Sequence, residues 1–302
     1  MKKIFISLLA VAALAACNKS EVIESNPGEA IEFGDAFVDN ATKATDPSYS
    51  ANDITKFNVY GTVNNVVIYP GTEVTKDDAE YNSAWTCPVN QYWIPGASYK
   101  FVGIVDGNKT NVTETTLVNG MPTTISYKAD GVTDLLCQTI TKTANTDGTA
   151  NGLVAFNFTH LLSKVNFVVN NNSAAAEGYS FLVKNIKFAG RTEATYNLAS
   201  GWEDAKEGDI SFADIAVASK ATSNELATEM LLIPGDVKVT FTVDILYNGT
   251  TITTTNYAPA TLYKIAAGNA YNFNVAVSVG EKIEFTVTKK PEWTNNPATP
   301  LQ

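Results

Sequence analysis

Histidine occurs once, arginine once and cysteine three times in this chain of 302 residues. That scarcity excludes several kinds of chemistry by supply alone. A structural zinc centre draws four ligands from Cys and His at set spacings, and a disulfide-rich scaffold needs more thiols than this. Arg191 by itself cannot form the guanidinium cluster that grips phosphate groups. His160 lies in Phe156-Asn157-Phe158-Thr159-His160-Leu161-Leu162. That apolar setting suits a packed, hydrogen-bonded structural imidazole rather than the base of a catalytic triad. The chain has no nucleophile-elbow motif and no phosphate-cradling loop, so no enzymatic activity is expected. Positive charge is also short: 21 Lys+Arg stand against 31 Asp+Glu, a formal net charge of −10. A polyanion would be repelled, so no nucleic-acid partner is expected. Helical periodicity is scarce, and Phe212 to Ala218 is the one stretch that fits a short helix.

Long apolar runs are absent except at the N-terminus, MKKIFISLLAVAALAAC. Lys2 and Lys3 form a positive start, and Ile4 to Ala13 is too short to span a bilayer stably. The run ends in Leu14-Ala15-Ala16-Cys17, small residues before a cysteine as in a bacterial lipobox. Residues 1–17 therefore read as a lipoprotein signal peptide, with lipid attached to the thiol of Cys17. Acyl chains on that thiol would anchor the protein stably to a membrane. Asn18 rather than Asp follows the cysteine, which favours onward transport to the cell outer membrane. Residues 18–30 are polar and acidic, and form a tether. In an oxidising compartment Cys87 and Cys137 are free to pair, and a bridge or two buried thiols both fit the sequence.

A hydrophobic content of 45% is normal for a globular protein, and the length suits about two domains at roughly 150 residues each. Period-two alternation dominates. Phe57, Val59, Gly61 and Val63 share one face. So do Tyr99, Phe101, Gly103 and Val105, then Val154, Phe156 and Phe158, then Val165, Phe167 and Val169. The longest row is Val237, Val239, Phe241, Val243, Ile245 and Tyr247. Tyr271, Phe273, Val275, Val277 and Val279 follow near the end. One apolar face per strand implies antiparallel sheets packed on a core. Turns are marked at Pro70-Gly71, Asn119-Gly120, Pro234-Gly235 and Asn248-Gly249. The fold class is all-β, as two sandwiches in tandem. The polar stretch Thr141 to Asn151 marks the division, giving 31–145 and 146–302.

Ile31 to Val38 alternates, slips at Gly34, and reads as a strand with a bulge. Asp77, Asp78 and Glu80 could touch a calcium ion, but their spacing fits no EF-hand and a solvated loop is the simpler reading, so no metal is expected. Trp85, Trp93, Trp202 and Trp293 could form a sugar-stacking platform. Packing in or beside a core is the plainer role. A carboxylate pair for glycoside hydrolysis would meet only in three dimensions, and nothing in the sequence points to one.

Several segments in order resemble the fimbrillin family, the type V pilins of Gram-negative anaerobes. They are the lipobox with its acidic tether and Tyr81…Trp85 leading to Gln91-Tyr92-Trp93-Ile94-Pro95-Gly96. Then come Asp134-Leu135-Leu136, and the stretch from Val154 through His160-Leu161-Leu162-Ser163-Lys164-Val165. Last are Leu231-Leu232-Ile233-Pro234 and Gly268-Asn269…Tyr271-Asn272-Phe273. The resemblance implies two transthyretin-like antiparallel β-sandwich domains. It implies a fimbrial subunit that needs no cofactor, reaches the surface as a lipoprotein, partners other fimbrial subunits and supports adhesion. It also implies assembly by donor-strand exchange, in which a protease frees the first strand and a neighbour's terminal segment fills the groove. On this sequence the removable strand is Ile31 to Val38, with Ile31, Phe33 and Phe37 as its apolar residues. The cleavage position is Lys43-Ala44, a departure from the Arg-directed pattern because no Arg precedes Arg191. The donor is the tail 282–302, with Ile283, Phe285, Val287 and Trp293. A surface glycan-binding lipoprotein using Trp and Tyr stacking is the alternative.

Overall fold

The computed structural model describes residues 28–38, 54–76, 85–106, 111–171, 178–217, 226–280 and 282–290. Among these the chain is all β, with no helix. In order the strands are β1 (Phe33–Val38), β2 (Lys56–Val63), β3 (Val66–Lys76), β4 (Trp85–Thr86), β5 (Ser98–Val105), β6 (Val112–Val118) and β7 (Met121–Lys128). Then come β8 (Leu136–Thr143), β9 (Val154–His160), β10 (Ser163–Asn171), β11 (Tyr179–Asn197), β12 (Gly201–Ser211) and β13 (Ile215–Val217). The last are β14 (Leu226–Leu232), β15 (Gly235–Tyr247), β16 (Thr250–Tyr257), β17 (Tyr263–Ile265), β18 (Ala270–Val277) and β19 (Glu284–Lys290).

The alternating rows become sheets. One has the order β1-β9-β8-β5-β2-β3-β4, a second β14-β10-β18-β19, and a third β16-β15-β11-β7-β6. Pairing is mostly antiparallel, but β1 runs parallel to β9 and β10 parallel to β18. Phe57, Val59, Phe101, Phe156 and Phe158 build one core beneath the first sheet. Phe167, Phe188, Phe241 and Phe273 build another between the second and third sheets.

Three expectations change. Phe212–Asp214 is irregular, and Ile215–Val217 is β13, paired antiparallel with β11, not a helix; Ala218 lies outside the described residues. Ile215 and Val217 are buried with Ala216 exposed between them, so period two prevails over the helical reading. Pro70-Gly71 is no turn. It is a bulge inside β3, with Gly71 at φ 95°, and the β2–β3 turn is made by Asn64 and Asn65. The polar stretch Thr141 to Asn151 ends β8 and leads toward β9, its neighbour in one sheet, and Val154, Phe156 and Phe158 belong to the first core. That core thus extends past the expected division at 145/146.

The opposite face of the first sheet is covered too. Val102, Ile104 and Cys137 meet Ile125, Tyr127, Leu161, Leu162, Leu231 and Ile233 in a third core. Asn58 and Thr62 of β2 are buried as well. The β6–β7 hairpin supplies part of this layer. It leaves the first sheet and pairs with β11, from Glu193↔Lys128 to Asn197↔Thr124. Trp202 closes it by donating its Nε1–H to the Leu161 carbonyl at 2.8 Å.

Candidate functional site

Ile31 and Phe33 are 5% and 4% exposed, so the segment before Val38 is part of the first core. Its backbone is held on two sides at its start. Ile31 donates to the Gln91 carbonyl (2.8 Å), and Trp93 donates back to Glu29 (2.9 Å). On the other side Val154 donates to Glu32 (2.8 Å), and the segment continues as β1 beside β9. There Phe33 pairs with Val154 and Gly34 with Ala155. The register then shifts before Phe37↔Asn157 and Val38↔Phe158, which places the bulge where alternation slipped at Gly34. β1 is an edge strand of the sheet.

Phe33 is the plug. Its ring lies edge-on to Phe57 (6.1 Å), Tyr69 (5.4 Å) and Phe101 (6.2 Å), and stacked on Phe156 (6.4 Å). Edge-to-face contacts suit the ring quadrupoles. Taking this one strand away would uncover four aromatic rings in a row.

A polar latch closes the entry, and sequence gave no signal of it. The Glu29 carboxylate accepts from Asn151 N (2.7 Å), Asn151 Nδ2 (2.6 Å) and Gly152 N (3.2 Å). These bonds, the Asn151 backbone N–H first, hold the Glu29 carboxyl below its usual value against the opposing effect of desolvation. Lys142 donates to the Asn151 carbonyl and lies over the Trp93 ring at 5.0 Å. Burial pushes the Tyr69 phenol far up, with Cys87 and Tyr99 adding to it, so Tyr69 stays a neutral donor.

The tail lies elsewhere. β19 is the edge strand beside β18, antiparallel and unbroken from Ala270↔Lys290 to Ala276↔Glu284. Ile283, Phe285 and Val287 turn to the second core while Glu284, Thr286 and Thr288 face outward, as their alternation required. Phe285 meets Tyr257 at 5.1 Å, Phe241 at 5.7 Å and Tyr263 at 5.8 Å.

Cys87 and Cys137 are unbonded. Leu136 of β8 faces the first core, so Cys137 next to it faces the third, while Cys87 packs against the first. The sheet stands between the two thiols, which excludes the bridge that the compartment would have allowed. Burial pushes the Cys137 thiol up to about 12.

His160 is buried and hydrogen-bonded through Nδ1 to Asp134, the structural role its sequence setting indicated. Trp93 is buried, Trp202 is half-buried against the third core, and Trp85 leans on Phe57 at 5.0 Å, so these three form no exposed platform. Among the described residues no group of three His, Cys, Asp or Glu could hold a metal. No helix among them is long and apolar enough to cross a membrane. Cys17, Lys43, Ala44, Asp77, Asp78, Glu80, Trp293 and the side chain of Phe37 lie outside the described residues.

A family model described as fimbrillin-like matches residues 40–291. Residues 1–18 match the prokaryotic membrane lipoprotein lipid attachment site, which includes Cys17. No curated protein matches the chain. Among solved structures, it is similar to a candidate cell adhesion protein from Bacteroides uniformis at 17% identity and a TM-score of 0.55, covering 89% of this chain and 99% of that one. A second, from Bacteroides ovatus, has 18% identity and a TM-score of 0.52, with 89% and 98% covered. A fimbrial assembly protein from Parabacteroides distasonis has 13% identity and a TM-score of 0.45, with 87% and 100% covered.

Proposed function

We propose that this chain, which belongs to the fimbrillin-like family, is a non-enzymatic structural subunit of a cell-surface fimbria, assembled with other fimbrial subunits by strand exchange. Lipid on Cys17 carries it to the outer membrane. A protease then cuts after Val38, at Lys43-Ala44, and β1 leaves its sheet. The groove left behind takes the C-terminal stretch of a neighbour, 282–302. The polymer supports adhesion.

The observation that carries this reading is the placement of β1. β1 is the edge strand beside β9, and on its other side the segment is bonded, among the described residues, only at its start, to Gln91 and Trp93, yet Phe33 fills an aromatic slot that water would otherwise reach. An open edge above exposed apolar rings is a template for another strand. β19 is an edge strand as well, and its alternating Ile283, Phe285 and Val287 have the spacing of a donor. We place the working division of the chain after His160, where the first core ends and β10 begins the second.

The test is limited proteolysis of the full chain within 39–53, followed by electrophoresis in SDS without boiling. A ladder of oligomers is expected from cut protein and none from uncut protein. A chain lacking 282–302 should give no ladder. Cut protein that remains monomeric would remove the reading.

The glycan-binding alternative loses its support where Trp93 is buried and Trp202 is half-buried against Tyr127 and Tyr196.

A further inference from the structure

Two polar atoms in the first core have no hydrogen-bond partner among the described residues of the protein. The Tyr69 hydroxyl and the Trp93 Nε1–H are both buried and unpartnered, on residues 0% and 3% exposed. A buried donor without a partner forfeits its bonds to water and receives nothing back. Natural cores seldom keep two such donors around one strand.

Their location is specific. Tyr69 touches Phe33 of β1 at 5.4 Å, and the Trp93 backbone is bonded to Glu29. Trp93 packs edge-on to Tyr99 at 4.7 Å. The neighbouring hydroxyl shows what satisfaction looks like here. Tyr99 OH donates to the Tyr92 carbonyl (3.2 Å) and accepts from Ile94 N (2.7 Å). The Tyr69 ring and the Trp93 backbone, which carry the two orphaned donors, therefore border the seat of residues 29–33. The residues that this segment turns into the core, Ile31 and Phe33, are wholly apolar. The resident strand fills the volume and leaves the donors unsatisfied.

We infer that the groove occupied by 29–38 is built for an incoming strand of a second subunit that carries a hydrogen-bond acceptor, an amide or hydroxyl side chain, where the resident strand has Ile31 or Phe33. This deepens the strand-exchange reading and rests on it. The resident strand is a plug of the right shape with incomplete chemistry. The donor completes the chemistry, which biases exchange forward and selects among donor strands. Tyr69 and Trp93 are specificity-determining residues.

The experiment has two arms. In the first, the uncut full chain and its Tyr69→Phe variant are melted side by side. Tyr69→Phe removes an unpaired hydroxyl, so the midpoint is expected to hold or rise. A fall of several degrees would mean that the hydroxyl is bonded in the resident state, and would overturn the inference. In the second arm, the full chain is nicked within 39–53, and synthetic peptides compete with the seated fragment. The peptides carry the sequence of residues 29–38 with Ile31 or Phe33 replaced by Gln, Asn or Thr, or by Val and Leu as apolar controls. At least one polar peptide is expected to displace the fragment about tenfold better than its apolar control, with the advantage lost in Tyr69→Phe. Equal displacement by polar and apolar peptides overturns the inference and leaves strand exchange standing. Displacement by none overturns both.

Discussion

The molecule has two edge strands near its two ends, and they are held in opposite ways. β19 has unbroken antiparallel pairing with β18 from end to end, and three half-buried apolar residues share its load. β1 is parallel to β9, its register breaks after Gly34, and much of its anchorage is one fully enclosed ring, Phe33. Parallel pairing is slightly weaker per residue, and a bulge interrupts the ladder. β1 thus combines weak backbone pairing with deep side-chain insertion, whereas β19 combines regular pairing with shallow insertion. A strand that must come out and be replaced is better served by the first design, because the slot it leaves demands filling.

Phe33→Ala should break the comparison hardest. Emptying a slot ringed by four aromatics should cost about 3–5 kcal/mol in urea unfolding of the full chain. Phe285→Ala, at a half-buried edge position, should cost about 1–2 kcal/mol. Equal losses would erase the distinction between the two strands.

The Glu29 latch sharpens it through pH. The folded pKa lies below the ordinary 4.5. The contribution is therefore full above that value, and is lost as pH falls through the folded pKa. Amide exchange of residues 29–33 should quicken relative to β19 as pH is lowered below about 4.5, after correction for intrinsic rates. Glu29→Gln should show the faster exchange already at pH 7 and lose the pH dependence. Unchanged exchange in the variant would mean that the latch holds nothing.

Thiol labelling compares the two sides of the first sheet. At pH 8 Cys87 should react with iodoacetamide at least about tenfold faster than Cys137, whose burial keeps it a protonated thiol. Both should label in denaturant without reductant, since neither is bonded. The smallest effect is expected at Gly34. A Cβ there meets the flexible tip of the half-exposed Leu153, which can swing aside, so Gly34→Ala should change stability by only about 0.5 kcal/mol.

Local features of the sequence were legible because strands announce themselves locally. The row from Val237 to Tyr247 became β15, and Asn248-Gly249, both at positive φ, turns it into β16. The slip at Gly34 became the register shift in β1. What escaped depends on distant contacts. Phe212 to Ala218 matched a helical period over a few residues, but β11 was waiting as a strand partner. Asn58 and Thr62 fall opposite the apolar row of β2, and nothing nearby in sequence predicts that β6–β7 crosses to another sheet and closes a third core on that side. The bond from Asn151 to Glu29 spans 122 residues. The unpaired hydroxyl of Tyr69 is a property of a packed core and has no pattern in the chain.

The central claim is that the polymer forms by losing β1. The direct measurement is to nick the full chain within 39–53, separate oligomers from monomers by size, and weigh the fragments in each fraction by mass spectrometry. The fragment containing Ile31 and Phe33 should remain with the monomers and be missing from the oligomers. Oligomers that retain it in equal amount with the rest of the chain would contradict the account.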